Sequence, residues 1–135
     1  MEYSMAGVSG AYAGPANPIR GISGGGLPWR LDQARGELRR DGKLEVRVRG
    51  LVLDAGPNAG TNPATTFRAA VSCQVTQVVE GTNVAAVTNV FTGEFPATAT
   101  GDSDIEAQLA LPAQCIAPII FVTNAAQRWF SATGF

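Results

Sequence analysis

The stretch Asp41-Gly42-Lys43-Leu44-Glu45-Val46-Arg47-Val48-Arg49, "DGKLEVRVR", decides the fold. Leu44, Val46 and Val48 alternate with Lys43, Glu45, Arg47 and Arg49. A period of two puts the aliphatic set on one face and the charged set on the other, as in a strand with one side buried and the other in water. Asp41-Gly42 ahead of it is a hairpin signal, because both central residues of a two-residue turn need positive φ. The pattern predicts a strand over 31–39 folded back on one over 43–53.

The same alternation extends away from this hairpin. "DAGPNAGTNPAT" (54–65) reads as a long loop, after which Phe67, Ala69, Val71, Cys73 and Val75 alternate along a strand over 67–79. "EGTN" turns the chain into a strand over 84–92. "GEFPATATGD" connects to 103–111, where Ile105, Ala107, Leu109 and Leu111 share a face, and strands over 116–123 and 128–135 flank the turn "NAAQ". No segment has helical apolar spacing. About seven short strands separated by turn clusters predict an all-β fold, an antiparallel β-sandwich of the immunoglobulin or fibronectin type, with a closed β-barrel as the alternative. Residues 1–26, rich in Gly, Ala, Ser, Pro and Asn and ending in "GISGGG", read as a flexible N-terminal arm on a sandwich domain over 27–135.

A chain of 135 residues fits one domain with its own core, and 45% hydrophobic with 16% charged residues excludes a disordered chain. A net charge of −1 leaves no cationic surplus for nucleic acid or anionic lipid, and neither is expected as a partner. No apolar window is long enough for a membrane span. The first twenty residues lack the basic start and apolar centre of a signal peptide, so export would use another route or follow removal of a leader. Eight of the ten basic residues lie between Arg20 and Arg49, while six of the eleven acids follow residue 50. In the immunoglobulin order the second strand lies between the first and the fifth. Arg47 and Arg49 are therefore expected opposite Asp104 and Glu106.

Chemistry has little to stand on. Without histidine the common base for a Ser or Cys nucleophile is missing, Lys43 sits among charges beside a turn, and every carboxylate falls on a polar face or in a turn. The chain reads as non-enzymatic, with no catalytic residue and no cofactor. Asp102, Asp104 and Glu106 of "GDSDIE" are the best oxygen cluster, and calcium is the ion it would take. The plainer reading is an ion-pair face, since alternate side chains on a strand stand ~7 Å apart. Asp54, Asn58 and Asn62 form a weaker cluster in a loop where turn formation is the usual role. Trp29, Trp129, Phe130 and Phe135 are either core or a stacking platform for a sugar, because alternation sends Trp129 and Phe130 to opposite faces. Cys73 and Cys115 each lie in an apolar segment, which suits a core disulfide as well as two buried free thiols.

The segments "GGGLPW", "GELRRDGKLEVRVRGLVL", "SC", "GDSDIEAQLALPAQCIAPIIFV" and "WFSATGF" together resemble a group of small secreted bacterial proteins of unknown function, over residues 21–135. The resemblance implies an exported β domain, secreted or at the cell surface, with a Cys73–Cys115 bridge. It implies no activity.

One run asks for an explanation. "CIAPIIFVT" (115–123) is apolar on both sides, with Cys115, Ala117, Ile119 and Phe121 on one and Ile116, Pro118, Ile120 and Val122 on the other; Pro118 marks a bulge or an edge. A sandwich sheet normally has one wet side, so the second apolar side calls for cover by the chain's own arm, another copy or a ligand. The arm is poor in charge and carries Tyr3, Met5, Val8 and Tyr12, which suits strand addition to a neighbour, and three consecutive glycines give it reach. The expectation is a non-catalytic extracellular structural subunit forming a homo-oligomer or filament. Its self-association residues would be Tyr3, Met5, Val8, Tyr12, Ile120, Val122 and Trp129. The alternative is a carbohydrate- or protein-binding module whose partner is a cell-surface glycan or protein.

Overall fold

In the computed structural model, which describes residues 1–133, Leu44, Val46 and Val48 are fully buried while Arg47 and Arg49 are exposed. The alternation that predicted a half-buried strand thus fixes which side faces the core. In chain order the elements are β1 (Glu2–Ser4), β2 (Ala6–Gly7), a single 3-10 turn (Gly10–Tyr12), β3 (Trp29–Arg30), β4 (Gln33–Leu38), β5 (Lys43–Arg49), β6 (Val52–Leu53), β7 (Thr66–Val79), β8 (Thr82–Phe91), β9 (Phe95–Pro96), β10 (Ser103–Gln108), β11 (Ile116–Thr123) and β12 (Trp129–Ala132). Expectations placed on Gly134 and Phe135 lie outside the described residues.

Two antiparallel sheets face each other, one ordered β1-β4-β5-β10 and the other β2-β12-β11-β7-β8, with β9 beside β7. Among the seven longer strands (β4, β5, β7, β8, β10, β11, β12) the order is first-second-fifth in one sheet and seventh-sixth-third-fourth in the other. That is the immunoglobulin and fibronectin type of sandwich. The sheets do not close into a barrel. Leu44, Val46, Val48 and Ile105 from the first meet Phe67, Val71, Ile120 and Val122 from the second in one core cluster.

Two local expectations are corrected. Asp41-Gly42 is the end of a longer loop: Gly42 donates to the Arg39 carbonyl at 3.0 Å, Arg39 donates to Lys43 at 2.9 Å, and only Gly42 has positive φ. Two-residue turns with both φ positive lie instead at Glu80 (φ 51) and Gly81 (φ 79), joining β7 to β8, and at Arg20 and Gly21 near the N-terminus. The strand expected over 43–53 breaks at Gly50, whose φ of 69 suits glycine and whose missing side chain leaves room for the Asp32 carboxylate.

The disulfide joins Cys73 and Cys115, 42 residues apart. It links β7 to the chain entering β11, its neighbour in the same sheet. Directly after it the register slips: Ile116 faces Gln74 and Ile119 faces Ser72, so three residue steps of β11 run past two of β7, with Ala117 at φ 46 and Pro118 inside the irregularity. This bulge reverses the alternation. Cys115 and, beyond the bulge, Ile120 and Val122 all point into the core, while Phe121 points to the outer side with its cross-strand partners Ala70 and Ala132.

Candidate functional site: the N-terminal strap

The chain's own N-terminal residues join both sheets and, beyond β1, reach across the outer side of β11 and β12. β1 adds to the edge of β4 with Tyr3 opposite Gly36, Met5 crosses between the sheets, and β2 adds to β12 with Ala6 opposite Ala132 and Gly7 opposite Ser131. One short segment therefore completes an edge of each sheet. Val8 continues the seam: its amide donates to Phe130 at 2.8 Å and its carbonyl accepts from Trp29 at 2.8 Å. Complete burial of Val8 contributes ~1.5–3 kcal/mol.

Beyond the 3-10 turn the strap folds across the outer face. Ile19 and Ile22 exchange backbone hydrogen bonds of 3.0 and 2.9 Å around a turn with Arg20 (φ 51) and Gly21 (φ 79) at its tip. From that tip the Arg20 guanidinium donates to the Ser72 carbonyl at 3.2 Å and to the Ala117 carbonyl at 2.8 Å. The Asn89 amide donates back to the Arg20 carbonyl at 2.9 Å. The Arg20 cation thus ties the strap to β7 and the bulge in β11, and its backbone carbonyl ties it to β8.

The glycines that follow serve close approach. A Cβ on Gly24 would collide with the Tyr12 carbonyl, and one on Gly25 would stand 3.1 Å from the Phe130 ring. The Gly25 amide donates to the Trp129 carbonyl and the Trp129 amide to Ser23, both at 2.9 Å. Trp129 is fully buried beside Phe121, with ring centroids 5.9 Å apart. The slip between Val122 and Thr123 lets its neighbour Phe130 turn to the core, where it stacks on Trp29 at 3.9 Å and meets Phe67 edge-on. Trp29, Trp129 and Phe130 are all buried, so no sugar platform stands at either tryptophan.

Of the expected self-association residues, the structure brings together Tyr3, Met5, Val8 and Trp129 at the strap seam, and leaves Tyr12 exposed on it. The Tyr3 hydroxyl donates to the Glu45 carbonyl; burial, with the Glu45 charge adding, raises its pKa above the ordinary phenol range. Ile120 and Val122 are corrected: they lie in the inter-sheet core and do not touch the outer side. Sequence reasoning missed Phe121, Ile22 and Arg20. The Ile-Arg-Gly-Ile turn was a readable signal for the last two.

The carboxylates are engaged elsewhere. Asp104 sits opposite Arg47 and pairs with Arg49 at 2.9 Å and Arg47 at 3.9 Å. Glu106 pairs with Lys43 at 2.8 Å, and this hydrogen bond and charge lower the Glu106 pKa and raise that of Lys43. Asp102 turns away to accept from the Gly50 amide at 3.0 Å. Among the described residues no three His, Cys, Asp or Glu side chains gather as a metal site. Asn62 is a loop clamp, donating to the Ala64 and Thr98 carbonyls at 2.9 Å, while Asp54 meets Arg30 at 3.5 Å. A groove of about 620 Å³ is lined by Leu38, Arg39, Arg40, Leu111 and Pro112 among others, with no carboxylate among its lining residues. No family model, curated protein or solved structure matches the chain.

Proposed function

We infer that the protein is a non-catalytic structural subunit of the cell exterior that assembles with copies of itself by seating its N-terminal strap on the C-terminal strands of a neighbour. The observation that carries this reading is the strap's construction. β1 and β2 are edge strands of both sheets, yet they join the body through Gly26 and Leu27, which are exposed. Seating the strap on a neighbour repeats the contacts it makes on its own domain, so exchange costs little beyond the hinge. Release is also eased. Ser72 Oγ and Asn89 Oδ1 are buried without a hydrogen-bond partner among the described residues, and lifting the strap would open both to water.

The disulfide suits an oxidising compartment, and the resemblance of residues 21–135 to small secreted bacterial proteins points the same way. Among the described residues no helix is long and apolar enough to cross a membrane. Light scattering across a concentration series tests the assembly: the mass is expected to rise above one chain, and a mass fixed at one chain throughout contradicts it.

A further inference from the structure

The sandwich has four outer strands, and three of them are poor templates for another chain. β1 has three residues and β2 two, while β10 has six and carries Asp104 and Glu106 on its outer face. β8 is different. It runs for ten residues, pairs with β7 without a break, and ends its sheet. It holds no proline and no charge, and Glu80 is the only charged residue anywhere between Ala69 and Gly93. Natural sheet edges of this length are normally blunted by charge, proline or a bulge.

We propose that the open edge of β8 pairs antiparallel with β8 of a second copy, closing a two-fold dimer. This interface is separate from the strap. The Thr92 amide donates to the Ala69 carbonyl at 2.8 Å and so points toward β7. Along the unbroken ladder the amides and carbonyls of Asn83, Ala85 and Val87 therefore point to the open side. The hairpin beyond the sandwich is apolar and in water, with Val78 69%, Val79 47% and Val87 45% exposed.

Charge selects the second copy and the direction. Glu80 at the hairpin tip and Arg68 at its base have no ion-pair partner within 4.0 Å among the described residues; the Arg68 guanidinium donates to the Thr92 carbonyl at 2.9 Å and to the Ala125 carbonyl at 3.3 Å, and lies 5.3 Å from the Phe91 ring centroid. Antiparallel pairing carries each Glu80 to the Arg68 end of the other copy; parallel pairing sets Glu80 against Glu80. Glu94, also at the base, is held by the Thr66 hydroxyl at 2.7 Å. Each copy has one such edge, so the contact uses itself up and closes.

Val87→Pro removes an outward amide and leaves the β7–β8 ladder intact, whereas Val87→Lys keeps the amide and adds a charge. Sedimentation of the full chain and both variants reads the association, with circular dichroism confirming the fold. Each variant is expected to raise the dissociation constant by about tenfold or more. Variants that fold and associate as tightly as the parent overturn the pairing, and so does a parent chain that stays single at every concentration. Cysteines placed to join the strap to β12 report on the strap in each of these proteins, so failure of the edge and failure of strap exchange are read separately.

Discussion

Ala117, at φ 46, and Pro118 interrupt the alternation of β11, and one residue of slip decides which side chains meet the core. Proline marked the bulge in the sequence, but its effect on the alternation was not legible, because a bulge inserts one residue or none with the same composition. Ile120 and Val122 therefore exchanged roles with Phe121. Ile120→Asp puts an unpaired carboxylate between the sheets and should cost more than ~4 kcal/mol, abolishing the folded baseline in urea denaturation. If the variant folds normally and changes only the association state, Ile120 is on the outer side after all. Gly24 and Gly25 carried a similar ambiguity. Consecutive glycines signal either slack or close approach, and the Tyr12 carbonyl and Phe130 ring decide for close approach. Gly24→Ala should loosen the strap by ~1–3 kcal/mol and speed protease cleavage within residues 9–23, with the body intact. Unchanged cleavage would mean that this contact does not hold the strap.

At the scale of elements the sequence was most readable. Alternation of Leu44, Val46 and Val48 located β5, since burial of one face imposes the period directly, and Phe67, Ala69 and Val71 located β7 although its middle is buried on both faces. The segregated charges located their neighbours: β10 lies beside β5 as the topology required, with Arg47 opposite Asp104. The finer pairing was beyond reach, because Glu106 faces Glu45 across the ladder and reaches Lys43 diagonally. A double-mutant cycle on Arg49 and Asp104 should give a coupling of ~0.2–1 kcal/mol, and one on Arg49 and Glu106 none. The reverse ranking would contradict the register. The Lys43–Glu106 contribution has a definite pH sign. The lowered Glu106 pKa makes it present above the carboxylate's unfolded pKa and lost as pH falls through the folded one, while the raised Lys43 pKa loses it only in strong alkali. The two thiols left a bridge and free cysteines open until their strands proved to be neighbours. Titration of the unfolded, unreduced chain should find no free thiol, and replacing both cysteines by alanine should cost ~2–4 kcal/mol.

For the whole molecule, the two-sided C-terminal strands and their cover are parts of one design. The arm was visible as a composition shift, yet its seat was not, because a segment with little charge and no strong period carries no mark of the face it will join. The structure supplies that seat: β1 on one sheet, β2 on the other, Val8 in the core and Arg20 tied to β7 and the bulge. The same strap covers one edge of each sheet, while among the described residues β8 ends its sheet with no further strand beside it. The proposed function requires the strap to cross between copies. Ala6 and Ala132 are cross-strand partners in the β2–β12 ladder, so a cysteine at each reports which chain supplies the strap. Chains carrying Ala6→Cys alone are unfolded together with chains carrying Ala132→Cys alone, refolded and oxidised. Covalent pairs containing one chain of each kind are expected. If no such pairs form while a chain carrying both cysteines closes its own link, the strap stays on the domain that made it and exchange is contradicted.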